Sequence, residues 1–284
     1  MKIFICTNDN QSIGAKVSKQ SIINRSSFTA EDIIILNESD CPDLKKFFSL
    51  PYMRRGKMID HEKNDMQSFT LLRFMIPQLM GYAGRALVID PDIFLVRNGL
   101  ESFRDFPMED CSIYARKGLK KGSWGSSVML LNCQQLQHWK LSNLIEQMHE
   151  GLLDYDSLIN LKTEEKKIAV LENQWNEYDA IKENTILLHT TEKITQPWRV
   201  GLKLNAAIKP LFSIFPRAPI YRLFGKNLTI GRQHPQKAVT SFFMKELAHC
   251  LNNGAILRHE IDQAIEKNFI RKDIYLELEK HQIE

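Results

Sequence analysis

Two carboxylates one residue apart, Asp90 and Asp92 in RALVIDPDIF, form the sharpest chemical feature of the sequence. They follow a short apolar run, so both can face one divalent cation at the end of a buried strand. Hard carboxylate oxygens suit Mg²⁺ or Mn²⁺, and such an ion can in turn hold a diphosphate. Asp and Pro are also common turn formers, so the same residues read equally as an ordinary turn. His189 ends a second apolar run, ILLH. Its imidazole suits an Mn²⁺-type ion, or it is a structural residue at a strand end. Arg73 offers a planar fork for phosphate or carboxylate, unless its guanidinium lies in solvent. Asp156 in DYDSLIN reads as a helix N-cap or as an active-site carboxylate. Trp198, nine residues beyond His189, either walls a sugar pocket or packs.

The elements that must position these residues alternate along the first two-thirds of the chain. Apolar runs at Lys2–Thr7, Asp32–Asn37, Arg85–Asp90, Cys111–Arg116, Ser127–Cys133 and Thr185–Thr191 read as strands, the second of them buried. Helical spacing falls over Gly14–Arg25, Asp65–Tyr82 and Gln134–Glu150, with Pro77 bending the second or ending a turn of it. Strands apolar on both faces alternating with helices predict an α/β fold, a mostly parallel sheet covered by helices. Ligands of such sheets collect at the carboxyl ends of strands. Thr7-Asn8-Asp9-Asn10, Asp90-Pro91-Asp92 and His189-Thr190-Thr191 all fall at such ends, which predicts one site there. Past Trp198 the pattern changes to an apolar-basic stretch broken by Pro210, Pro216 and Pro219. Three short helices follow, Ala238–Asn253, Arg258–Asn268 and Lys272–His281, with Gly254 as a stop.

Composition narrows the classes. The chain has 284 residues, 43% apolar and 25% charged, the balance of a globular protein rather than a disordered one. No apolar run approaches the roughly 18 residues of a spanning helix. MKIFICTND is too short for a signal-peptide core. Five scattered cysteines argue against a disulfide framework and a structural zinc site, so a cytoplasmic address is expected. Nucleophile-elbow, P-loop and paired-cysteine motifs are absent, and no nucleic-acid motif is found. From Lys193 to Lys245 there are ten Lys or Arg and no Asp or Glu; the rest of the chain has 28 basic and 34 acidic residues. An anionic partner is therefore expected at that segment. Its apolar residues, Leu211 to Phe224, and Arg217, Arg222 and Lys226 suit peripheral contact with an anionic membrane, or packing onto the rest of the protein.

Taken in order, the motifs SFTLLRFMIPQLMGYAGRALVIDPDIFLVRN, WGSSVMLLNC, DYDSLIN, LENQWN and HTTEKITQPW resemble the GT-A-fold glycosyltransferases, particularly the glycogenin and lipopolysaccharide galactosyltransferase-like group, glycosyltransferase family 8. The resemblance covers residues 1–200, leaving 201–284 as a basic, helical extension for acceptor or membrane-surface contact. It implies a retaining hexosyltransferase that moves a sugar from a nucleotide diphosphate donor, such as a UDP-sugar, to a glycan or glycolipid acceptor. Asp90, Asp92 and His189 would hold Mn²⁺ or Mg²⁺. Thr7, Asn8 and Asn10 would meet base and ribose, with Asp65 and Arg73 near the donor sugar or phosphate. Ser126, Ser127 and Asp156 would face the reacting sugar, and Gln196 and Trp198 would close the site. Gln11 stands where the family often has an aromatic, and Gly125-Ser126-Ser127 replaces its Asn-Ser-Gly. Those substitutions keep a non-catalytic nucleotide-sugar-binding relative as an alternative, and the basic segment keeps a membrane-surface adaptor as another.

Overall fold

Lys2–Thr7 (β1) forms a strand because its side chains alternate between two apolar surroundings. Ile3 and Ile5 enter one buried cluster, Phe4 and Cys6 the other. The computed structural model describes residues 1–61, 65–108, 111–118, 122–204 and 230–282. Helix Ser12–Arg25 (α1) follows and lays Ala15 and Ile22 under the sheet, then Ile33–Asn37 (β2), Pro42–Phe47 (α2) and the hairpin Tyr52–Arg54 (β3) with Lys57–Ile59 (β4). A 3-10 run over Ser68–Met75 leads into Ile76–Leu79 (α3), Arg85–Ile89 (β5), Ile93–Leu95 (β6), Ile113–Lys117 (β7) and Trp124–Asn132 (β8). Leu141–His149 (α4), Tyr155–Ile159 (α5), Ile168–Val170 (β9), Glu177–Tyr178 (β10) and Leu187–His189 (β11) come next. Lys237–Asn252 (α6), Arg258–Glu266 (α7) and Ile274–Gln282 (α8) end the described chain.

The main sheet runs β2-β1-β5-β8-β7-β9. β1 is parallel to β2 and β5, and β7 to β9; only β8 opposes its neighbours. The sheet is thus mixed and mainly parallel, with an apolar cluster on each face. β6 lies with β11 and β10 in a smaller sheet.

Three expectations change in detail. β2 is an edge strand and only Ile33 in it is buried, because one side of its ladder has no neighbour. Residues 68–75 are 3-10 rather than one α-helix. Phe69 to Phe74 are buried without a break, so that segment presents no solvent face. Pro77 then sits in the first turn of α3, where its missing N–H costs no hydrogen bond. Finally, helix α4 starts at Leu141; a 3-10 turn at Cys133–Gln135 takes up the start of the expected stretch.

The C-terminal helices fall where the spacing put them, and Gly254 ends the first with φ +76°. Contacts divide the chain into one unit of Met1–Glu177 with Asn184–Leu187 and a second of Tyr178–Glu183 with Leu188–Glu284. The boundary cuts through β10 and β11 themselves. Arg217, Arg222, Lys226 and the apolar stretch Leu211 to Phe224 lie outside the described residues. No helix of the described residues is long and apolar enough to cross a membrane.

Candidate functional site

Asp90 ends β5, and its backbone is fixed on both sides: its N–H donates to Ser127 O (3.1 Å) and its carbonyl accepts from Ile93 N (3.3 Å). The side chain is buried and gripped by Arg73 from the 3-10 run. Arg73 Nη2 lies 2.6 Å from both carboxylate oxygens and Nε 3.0 Å from Oδ1. Burial opposes the guanidinium charge, but Asp90 outweighs it and holds Arg73 above its ordinary pKa. Arg73 is therefore a carboxylate clamp and not a solvent-facing arginine. Its Nη1 also donates to Ser126 Oγ (2.7 Å), whose hydroxyl in turn donates to Ile159 O (2.7 Å) at the end of α5. Cys6, on β1, lies against this pair, and burial pushes its thiol well above the usual range.

Asp90, Asp92 and His189 each offer a ligand atom, all within 4.8 Å of one another. Two carboxylates and one imidazole make a hard, mixed O/N donor set of the kind that Mn²⁺ or Mg²⁺ accepts, so the residues fit such an ion. Ser127, one residue beyond Ser126, accepts from Asn176 Nδ2 (3.2 Å) in the LENQWN motif.

At the carboxyl ends of β1 and β2 the hydroxyl and amide donors are used within the protein. Thr7 and Asn8 are buried; Thr7 Oγ1 donates to Asn8 O (3.1 Å), and Asn8 Nδ2 donates to Ser68 Oγ (2.9 Å), leaving its Oδ1 buried without a partner. Gln11 is buried as well, its Nε2 on Met66 O at 2.8 Å, so it ties α1 to the segment before the 3-10 run. Asn10 is partly exposed. Asp65 Oδ1 accepts from Gln67 N (2.9 Å). Burial raises the Glu38 carboxyl, and the nearby charges of Asp9 and Asp65 add to this while a bond from Ser68 opposes it.

Asp156 does not cap its helix. The N-cap of α5 is Asp154, whose carboxylate accepts from Ser157 N (3.1 Å) and from Gly56 N in the β3–β4 turn (2.9 Å). Asp156 instead accepts from Arg54 Nε and Arg55 Nε, each at 2.8 Å. Burial favours its neutral form, yet these two arginines hold the carboxyl below the ordinary carboxylate range. Gln196 is fully buried with its Nε2 on Thr190 O (2.8 Å). Trp198 is also buried and stacks on Phe243 with ring centroids 4.6 Å apart, so of its two readings the structure shows packing.

Sequence reading missed Arg54, Arg55, Tyr178 and Asp179. The first two lie about 100 residues from the carboxylate they pair with, and a short hairpin of ordinary composition gave no signal. Asp179 is a single acid in a loop; its only visible cue is an Asp next to an aromatic.

No protein-family model matches this sequence, and no curated protein matches it either. Among solved structures, the chain is similar to glycosyltransferases. One is the galactosyltransferase LgtC in complex with donor and acceptor sugar analogs, at 14% identity over 70% of this chain and 89% of that one, TM-score 0.49. Another is the WbbM bifunctional glycosyltransferase, at 17% identity over 70% of this chain and 47% of that one, TM-score 0.49. A third is the glycosyltransferase GlyE of Streptococcus pneumoniae TIGR4, at 17% identity over 83% of this chain and 66% of that one, TM-score 0.49.

Proposed function

We propose that this chain is a metal-dependent glycosyltransferase that moves a sugar from a nucleoside diphosphate donor to a glycan or glycolipid acceptor. The observation that carries the reading is the convergence of Asp90, Asp92 and His189 at strand ends, beside an Arg73 that is itself buried against Asp90. When bound, Mn²⁺ or Mg²⁺ there supplies positive charge where the leaving diphosphate develops negative charge.

The chain's own residues do the rest. The acceptor-rich lining at the ends of β1 and β2, Asn8 Oδ1 with Asp65 and Glu38, suits the hydroxyls of a ribose and the N–H groups of a base. Thr7 and Asn10 frame the same place. Ser126 and Ser127 sit on β8 next to Asp90 and give the reacting sugar its hydroxyl partners. Asp156, kept ionised by two arginines, holds its charge toward the sugar. Gln196 ties down the turn after His189, and Trp198 anchors that turn's far end through its stack on Phe243.

The test is calorimetry of UDP and UDP-sugars with and without Mn²⁺. Wild type should bind only with the ion, and Asp92→Asn should keep its melting temperature while losing most of that binding. Equal binding by Asp92→Asn, or full transfer in excess EDTA, would overturn the metal assignment. Release of free sugar from the donor separates an enzyme from a binding-only relative.

A further inference from the structure

Asp90 is fixed by Arg73 and by two backbone bonds, but its partner ligand His189 ends a strand only three residues long. Something else must hold it. The residue pair Tyr178-Asp179 touches the turn after β11 at every step. The Tyr178 ring meets the His189 ring edge-on, centroids 5.5 Å apart at 82°. The Asp179 N–H donates to His189 O at 2.9 Å, a carbonyl that also accepts Thr191 N at 3.1 Å. The Asp179 carboxylate then takes the Thr191 hydroxyl on Oδ2 and the Glu192 N–H on Oδ1, the latter at 3.2 Å. Asp179 sits at φ +52°, in the left-handed region, which Asp tolerates better than most side chains. A single residue in the left-handed region that grips His189, Thr191 and Glu192 is suited to orientation rather than to bulk stability.

We infer that Asp179 is a positioning residue for the cation site, with Tyr178 as its partner: it fixes the backbone turn at His189 and so the direction of the imidazole. The inference rests on the reading of Asp90, Asp92 and His189 as cation ligands. Partners behind a ligating histidine typically change metal affinity by about 10- to 100-fold when removed. Ligand direction matters because a cation binds only where all its donors converge.

The experiment is titration of Mn²⁺ alone into the full-length protein by calorimetry, beside thermal melting in EDTA. Asp179→Gly keeps the backbone conformation, since glycine adopts positive φ freely, and deletes both carboxylate bonds. It should weaken Mn²⁺ binding about 10-fold or more with little change in the metal-free melting temperature. Asp179→Asn, which keeps an acceptor oxygen and tolerates the left-handed region, should recover most of the affinity. Thr191→Val tests the same grip from the other side and should lower affinity without unfolding the protein. Wild-type affinity in both Asp179→Gly and Thr191→Val would overturn the inference while leaving the cation site standing. Absence of Mn²⁺ binding by the wild type would remove the site itself, and the inference with it.

Discussion

Arg73 and Asp90 form a buried two-pronged ion pair in which one guanidinium covers both oxygens of a carboxylate that also lies in the cluster with Asp92 and His189. Oδ1 accepts two of the arginine's N–H groups and Oδ2 one, so Oδ2 is the oxygen better placed to be shared with a cation. Within the cluster, Arg73 offsets the charge of Asp90.

Removing the arginine should therefore expose two effects of opposite sign. Arg73→Met strands a buried carboxylate and should cost on the order of 3–5 kcal/mol in urea unfolding. The same variant makes Asp90 a stronger ligand, so Mn²⁺ should raise its melting temperature more than it raises that of the wild type. An equal or smaller rise would mean that Asp90 does not face the ion.

Asp156 lies between Arg54 and Arg55 from the β3–β4 hairpin, and Asp154 holds the turn of that hairpin. The folded-state pKa of Asp156 is depressed, so its contribution to stability is complete above the unfolded value near 4 and is lost as pH falls through the folded one. Asp156→Asn should flatten the acid side of the stability curve below about pH 4. If the carboxylate also faces the sugar, the same change should lower kcat far more than it changes donor affinity. Unaltered kcat with an altered acid limb would leave Asp156 a purely structural anchor.

What could be read from sequence depended on how local the cause was. The strand before Asp90, the D-x-D pair and the helix stop at Gly254 were legible because a few consecutive residues determine them. The direction of β8 was not: an apolar strand looks the same whether it runs with or against its neighbours. Nor was the 3-10 run, since the apolar spacing around Arg73 fits a helix and does not separate a 3-10 from an α-helical turn. Which of Asp154 and Asp156 caps α5 was not legible either, since both are acceptable caps two residues apart. The grip of Asp179 on Thr191 and Glu192, and of Arg54 on Asp156, joins segments that nothing in a single sequence links.

His61 introduces a second pH dependence. Its ring stacks on Tyr52 with centroids 4.3 Å apart and meets Phe47 edge-on, and Nε2 is buried with no partner. Burial, with the nearby His149 adding to it, lowers its pKa despite carbonyl bonds from Phe47 and Leu50 that oppose the shift. The unfolded chain then takes up the proton first, so stability should fall as pH drops through about 6.5 toward the lower folded value. His61→Leu should shrink the loss of melting temperature between pH 7 and pH 5. An identical pH profile in the variant would show that His61 is not the titrating group.

Two glycines near Trp198 give a control on packing. Gly231 N donates to Leu202 O at 2.8 Å, and its carbonyl accepts Gly201 N at 2.9 Å, a tight pairing of two backbones. A Cβ on Gly231 would collide with the Arg199 carbonyl oxygen and lie 2.7 Å from its carbon. That neighbour is backbone and cannot swing away, so the Pro197–Arg199 turn itself must shift. Gly201 differs: φ is +80° but nothing lies within 4 Å of its Cβ position. Alanine there meets only the left-handed strain of about 1–2 kcal/mol. Gly231→Ala carries an overpacking cost of order 1–3 kcal/mol or more, and it displaces the segment that Trp198 anchors. Denaturant unfolding should therefore rank Gly231→Ala as the more damaging change, and near-ultraviolet circular dichroism should show the Trp198 environment altered in that variant alone. The reverse ranking would mean that the two backbones do not approach as closely as the structure places them.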